Sequence, residues 1–205
     1  MEHTENFKTI LAPAEGLYKE KGSRFIAYAF PVSNEQQIRE ITARLKKEHH
    51  SARHQCFAWS IGCENKLFRV NDDGEPSGTA GRPIFGQIKY NELTDILVIV
   101  VRYFGGILLG TSGLTNAYKQ ATVNVLSNAI VVEKFSETAI DVNFDYLAMN
   151  EFMMVLKEFH LAIKESHLDL KCRVRILVRK HLIASVMEKL CKIDNLIATI
   201  LMDHQ

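Results

Sequence analysis

Three carboxylates crowd into four positions at Asp72, Asp73 and Glu75, inside the run Asn-Asp-Asp-Gly-Glu-Pro-Ser-Gly-Thr-Ala-Gly-Arg-Pro that starts at Asn71. Ser77 and Thr79 add hydroxyls and Arg82 a cation. Hard divalent cations prefer such oxygen ligands. The order Asp-Asp-Gly-Glu lacks the alternating aspartates and terminal glutamate of an EF-hand. Asp, Gly, Pro and Ser also dominate ordinary turns. Three readings stay open at this point: a metal-binding loop, a loop that contacts a partner, and a turn.

A second group follows. Arg102-Tyr103-Phe104 precedes Gly105-Gly106, and Gly110, Thr111 and Ser112 come soon after. The glycine and hydroxyl positions fit the phosphate-binding pattern G-x-x-x-x-G-K-[ST], but Thr111 stands where the lysine belongs. That lysine reaches the terminal phosphates, so its absence argues against a standard nucleotide hydrolase. A buried strand, glycines and then a helix start would still present free N–H groups to an anion. Arg102 would add a charge-assisted contact. The competing reading is a tight strand-to-helix connection. Tyr103 and Phe104 offer stacking surfaces for bases, although alternation sends Tyr103 to the face opposite Arg102.

A third group is a basic row. Lys171, Arg173, Arg175 and Arg179 fall on one face of one strand, with Cys172, Val174, Ile176 and Val178 on the other. The apolar face must be core, so the cations face outward. They could track a phosphate backbone. Alternatively, Asp141, Asn143 and Asp145 on a neighbouring strand neutralise them. His49, His50 and His54 cluster without a carboxylate or cysteine at a metal-ligand spacing, and read as surface or core histidines. No nucleophile–base motif stands out.

The elements that must position these groups are legible from periodicity. Residues 23–32 read as a strand ended by Pro31, and Ser33-Asn34 as an N-cap, with Gln36 placed to close a capping box on Ser33, for a helix to about His49. Residues 54–61 alternate as a strand that pairs with residues 66–70. Pro83 opens a short helix to about Asn91. Residues 95–104 form a β-branched run covered on both faces. A helix runs from about Leu114 to Ala129, with Ala117, Ala121, Val125 and Ala129 four apart. Residues 1–16 read as a loose lead-in. Beyond residue 135 glycine and proline vanish. Strands at 138–146, 161–166, 170–179 and 196–202, with helices at 151–159 and 182–191, give the order β-α-β-β-α-β of a ferredoxin-like domain. The expectation is an α+β protein of two domains, 1–135 and 136–205.

With 205 residues and 47% hydrophobic content, the chain can bury a core in one or two domains. A net charge of +1 gives no bulk basic surface, so nucleic-acid binding would have to be local. The four cysteines, Cys56, Cys63, Cys172 and Cys191, form no C-x-x-C pair and suit a reducing compartment. The first ten residues lack a signal-peptide pattern, and the longest apolar run is too short for a bilayer. A cytoplasmic protein without membrane segments is expected.

DDGEPSGTAGRP at 72–83 and VRYFGGILLGTSGL ending at Leu114 resemble the two signature blocks of the YigZ/IMPACT family. SRFIA at 23–27, His54-Gln55-Cys56 and Ala117-Tyr118 also match. Ser112 departs from the family's Gly-Gly-Leu, and Asn116 stands where arginine is frequent, which weakens the anion reading. The resemblance implies a first domain like the second domain of a small-subunit ribosomal protein, a fold shared with domain IV of the translocating elongation factor and with GHMP-type kinases. It implies a ferredoxin-like second domain. Eukaryotic relatives act in translational control through protein partners. A non-enzymatic, translation-associated binding protein that contacts RNA, the ribosome or a translation factor is therefore expected, with no cofactor and no DNA preference. The alternative is a nucleotide- and Mg-dependent phosphate-handling enzyme, with the glycine turn on phosphate and Asp72, Asp73 and Glu75 on the cation.

Overall fold

A computed structural model describes residues 6–62 and 67–201. The chain divides into one unit of Asn6–Lys134 and another from Phe135 onward. In the first, strands β1 (Asn6–Ile10), β2 (Ala14–Glu20) and β3 (Ser23–Pro31) precede helix α1 (Glu35–Glu48). Strands β4 (His54–Ile61) and β5 (Leu67–Asn71), helix α2 (Gly81–Tyr90), strand β6 (Ile96–Tyr103), helix α3 (Gly110–Asn128) and strand β7 (Val131–Phe135) follow.

The hydrophobic run of β6 takes the centre of a five-stranded antiparallel sheet ordered β2-β3-β6-β4-β5. Its residues from Ile96 to Val101 are fully buried. Alternation divides them between two cores. Val98 and Val100 join Phe25, Ala27, Cys56 and Ala58 against Ile84 and Ile88 of α2 and Ala117, Tyr118, Ala121 and Val125 of α3. Leu97, Ile99 and Val101 join Tyr28, Phe30 and Trp59 against Ile38 and Leu45 of α1. Two helices thus cover one face and a single helix the other. Burial on both faces is why β6 reads as a continuous apolar run rather than an alternating one.

Several boundaries differ from the sequence expectation. Residues 1–16 are not a loose lead-in where described, because β1 and β2 are strands. β1 pairs with β7, which periodicity did not reveal. The N-cap of α1 is Asn34, which accepts from the Gln37 N–H at 3.0 Å while Gln37 Oε1 accepts from the Ser33 N–H at 2.8 Å. The box therefore sits one residue later than Ser33 and Gln36. Pro83 is the third residue of α2 rather than the first. Helix α3 begins at Gly110, not Leu114, so Thr111, Ser112 and Gly113 belong to its first turn. Lys66, expected at the start of β5, Cys63, and Met202, expected at the end of the last strand, lie outside the described residues.

The second unit runs β8 (Glu137–Asp145), α4 (Met149–Glu158), β9 (Ala162–His167), β10 (Lys171–Arg179), α5 (Ile183–Leu190) and β11 (Leu196–Ile200). Its antiparallel sheet is ordered β11-β8-β10-β9, the ferredoxin-like arrangement. Phe152, Val155 and Leu156 of α4 and Val186 and Leu190 of α5 cover the face formed by Ile140, Val142, Phe144, Val174, Ile176 and Val178. Among the described residues no helix is long and apolar enough to cross a membrane. The protein is α+β, with two units of mixed strand and helix.

Candidate functional site

The acidic loop leaves β5 at Asn71 and enters α2 at Gly81. Asp72 turns its carboxylate onto the start of that helix, accepting from the N–H groups of Gly78 at 2.8 Å, Ala80 at 3.0 Å and Gly81 at 2.8 Å. It supplies the capping that Ala80, the N-cap residue, cannot. Burial alone would raise its pKa, but those three N–H donors and the nearby Arg82 charge hold it below the usual aspartate value. The Asp73 carboxylate accepts from the Gln55 N–H at 2.7 Å, and the Asp73 N–H donates to Asn71 Oδ1 at 2.7 Å. The His54 ring closes the other side through Nδ1, 2.9 Å from the Asp73 carbonyl. Since a carbonyl only accepts, Nδ1 carries the proton.

Glu75 points inward. Its Oε1 accepts from Arg102 Nη1 at 2.6 Å and from the Tyr118 hydroxyl at 2.8 Å. The two charged side chains are 7% and 3% exposed. Cys56 completes the cluster, with its Sγ 2.9 Å from the Asp72 carbonyl and 3.3 Å from the Tyr118 oxygen. Burial pushes both the Cys56 thiol and the Tyr118 phenol far up, so both stay protonated at neutral pH and neither is a ready nucleophile. The Arg102 guanidinium carbon lies 5.6 Å from the ring centres of Phe25 and of Phe104, and its Nε is buried without a hydrogen-bond partner. Thr79 is likewise turned in, its hydroxyl donating to the Pro76 carbonyl at 2.6 Å. Ser77 and Arg82 remain exposed.

The glycine turn has a different composition of roles. A Cβ on Gly105 would meet the Gly22 carbonyl carbon at 1.9 Å, and the Gly105 N–H donates to Ser23 Oγ at 3.1 Å. This glycine serves the close approach of two backbones. Gly106 and Gly110 adopt φ of +88° and +69° in open space, so there the conformation requires glycine. Helix α3 starts with no side-chain cap, and Thr111 and Ser112 lie exposed in its first turn. Before it the loop displays Phe104 at 50%, Ile107 at 55% and Leu108 at 83% exposure.

The structure thus brings Asp72, Asp73, Glu75, Thr79 and Arg102 together at one end of β4 and β6. It separates Tyr103 from them. That hydroxyl lies 2.9 Å from His49 Nδ1 on the opposite sheet face, and His49 Nε2 lies 2.9 Å from the Tyr28 hydroxyl. Sequence reasoning did not single out Tyr118 as a partner of Glu75 or Cys56 as a partner of Tyr118, nor the exposed Ile107 and Leu108. The motif fragments His54-Gln55-Cys56 and Ala117-Tyr118 were the signal for the first two. Among the described residues no three His, Cys, Asp or Glu side chains are placed to share a metal ion.

On the sheet of the second unit, the basic row faces outward. Arg175 is held by Asp141 at 2.6 Å and 3.0 Å and by Glu165 at 3.1 Å. The Arg173 Nε donates to Asn143 Oδ1 at 3.1 Å, Lys171 sits opposite Asp145 in register, and Arg179 stacks on Phe135 at 3.9 Å. The row is interleaved with acceptors rather than presented as a free cationic stripe.

This geometry can be set beside known proteins. The chain is 42% identical over 124 residues to the IMPACT family member YvyE of Bacillus subtilis, covering 60% of this chain and 57% of that protein. It is 39% identical over 109 residues to the IMPACT family member YigZ of Escherichia coli, covering 52% and 53%. The aligned region thus spans little more than half the length of these relatives. The crystal structure of a hypothetical protein superposes on 98% of this chain and 100% of its own, with a TM-score of 0.75 at 27% identity. Residues 21–126, which carry both signature blocks, match the Impact N-terminal domain, and the protein belongs to the IMPACT family.

Proposed function

We propose that this protein is a translation-associated regulatory protein that works by contact rather than catalysis. Its contact face combines the outer side of the 72–82 loop with the turn between β6 and α3, and its partner is RNA, the ribosome or a translation factor. The observation that carries this reading is the orientation of Glu75. The site's best candidate for acid–base or metal chemistry is sealed inside, bonded to Arg102 and Tyr118. Asp72 and Asp73 are engaged with backbone N–H groups in the same way. The phosphate-handling alternative needs these three carboxylates to hold a cation, which would require dismantling the loop they support.

What faces outward is suited to docking. Phe104, Ile107 and Leu108 are exposed beside the uncapped start of α3, with Arg82 and Ser77 exposed on the neighbouring loop. An apolar centre with a polar and cationic rim is the composition of interaction surfaces. Family membership supplies the translational context.

Co-sedimentation with ribosomes across a salt series tests the reading. Association that weakens with salt is expected, and Leu108→Asp should reduce it while leaving the melting temperature unchanged, because that side chain is exposed. Absence of association at low salt, together with failure to crosslink to any translation factor through residue 108, would sink the proposal.

A further inference from the structure

Helix α1 alone covers one face of the five-stranded sheet, and it leaves the β4–β5 side of that face open. The result is a groove of about 310 Å³, the size of a small-ligand site. One wall is the α1 stripe Ile38, Arg39, Thr42 and Lys46, spaced for a single helix face; the floor is Phe57 and Trp59 of β4; the far rim is Arg69 of β5. Arg69 is the register partner of Trp59, so both side chains rise on the same side of the sheet.

Three features of the groove point the same way. Its charge is one-sided. Arg39, Lys46 and Arg69 face a single carboxylate, Glu35, which lies 3.4 Å from Arg39. Among the described residues no carboxylate pairs with Lys46 or Arg69. Its floor is aromatic, with Phe57 partly exposed and Trp59 beside it at 6% exposure. Its wall contains an unmet polar atom, since Thr42 Oγ1 is buried without a hydrogen-bond partner. Such a group is costly to leave unsatisfied. The larger cleft of the second unit, about 440 Å³, lacks this profile because its Arg173 is bonded to Asn143 and its Lys171 faces Asp145.

We infer that the α1–β4–β5 groove binds a nucleoside phosphate. The heteroaromatic ring lies against Phe57 beside Trp59, Lys46 and Arg69 hold the phosphate, and a polar atom of the ring or sugar completes the bonding of Thr42. Stacking on aromatic floors and phosphate contact to cations are the two components of sequence-tolerant single-strand binding. The same chemistry could come from a free nucleotide or from one residue of single-stranded RNA. The groove lies on the sheet face opposite the signature loop, so this inference stands or falls separately from the role proposed for that loop.

Trp59 is the only tryptophan of the chain, and its fluorescence reports on the groove directly. Full-length protein is titrated at low salt with adenosine 5′-monophosphate and, separately, with a six-residue oligoadenylate. Saturable quenching that weakens with added salt is expected. Lys46→Glu and Arg69→Glu, both at exposed positions, should each weaken it by about tenfold, and Thr42→Val should weaken it less. Arg82→Glu on the signature loop should leave it unchanged. Equal response per site to both probes identifies a free nucleotide as sufficient, and response to the oligomer alone identifies single-stranded RNA. No quenching by either probe, quenching that survives both charge reversals, or equal quenching by polyglutamate would overturn the inference.

Discussion

Arg102 in the first unit and Arg175 in the second each hold a carboxylate oxygen at 2.6 Å. The Arg102 pair with Glu75 is sealed, at 7% and 3% side-chain exposure, whereas the Arg175 pair with Asp141 stands at 31% and 20% on an open sheet face. Equal distance conceals opposite energetics. A sealed pair has lost its water and depends on its own bonds, so removing one member strands the other. An open pair exchanges one set of water contacts for another and is screened by salt. The difference follows from architecture. The first sheet has helices on both faces, and its strand ends are roofed by the acidic loop. The second has helices on one face only. A signature arginine is thus part of a scaffold, while a row of arginines on a strand is a solvated surface.

Glu75 should separate the two pairs most forcefully. Glu75→Ala leaves the Arg102 guanidinium buried and unpaired, and should cost about 3–5 kcal/mol in urea denaturation. A loss below about 1 kcal/mol would mean that water enters freely and that the two pairs are alike. Asp72 comes next. Asp72→Ala removes the acceptor of three N–H groups at the start of α2 and should cost about 1–2 kcal/mol. Its pH dependence has a definite sign. The folded-state pKa is depressed below the ordinary 3.8, so its stabilisation is complete above that value and is lost as pH falls through the folded pKa. Melting temperature followed below about pH 4 should therefore fall less steeply in Asp72→Asn than in the natural chain. The smallest effect belongs to Arg175. Arg175→Ala should leave the denaturation midpoint unchanged at physiological salt, and a shift matching that of Glu75→Ala would erase the distinction.

Much of the fold was readable because burial writes itself into residue order. The β-branched run of β6, the strict alternation of β10 and the four-residue repeat of α3 each betray the surfaces they face. Elements that escaped notice have weak patterns for physical reasons. Strand β2 is an edge strand whose residues alternate only between partial burial and exposure, and its Gly16 sits where a Cβ would meet Asn124 and Val125 of α3 at under 3 Å. The start of α3 is hidden in the sequence because Gly110, at φ +69°, looks like turn chemistry even as it opens a helix. The candidate site was legible as a place and illegible as an arrangement. Asp72, Asp73 and Glu75 read as oxygen ligands because a sequence displays carboxylates but not the N–H groups, the guanidinium and the phenol that fold back onto them. Arg102 and Glu75 are 27 residues apart, and no local pattern announces that partnership.

Strand β6 lies at the centre of its sheet although four of the sheet's strands precede it in the chain. A ribosome makes β2 with β3, and β4 with β5, before the strand that joins them exists. Until Tyr103 has emerged, each pair keeps an unpartnered inner edge, and Phe25, Tyr28, Phe30 and Trp59 wait for a neighbour. Such edges are templates for mispairing. Closure is one late event, in which a single apolar strand inserts between two waiting pairs, completing the core under α1 and preparing the other for α3. Slow decoding across residues 72–95 would lengthen that interval more than slow decoding anywhere after residue 103.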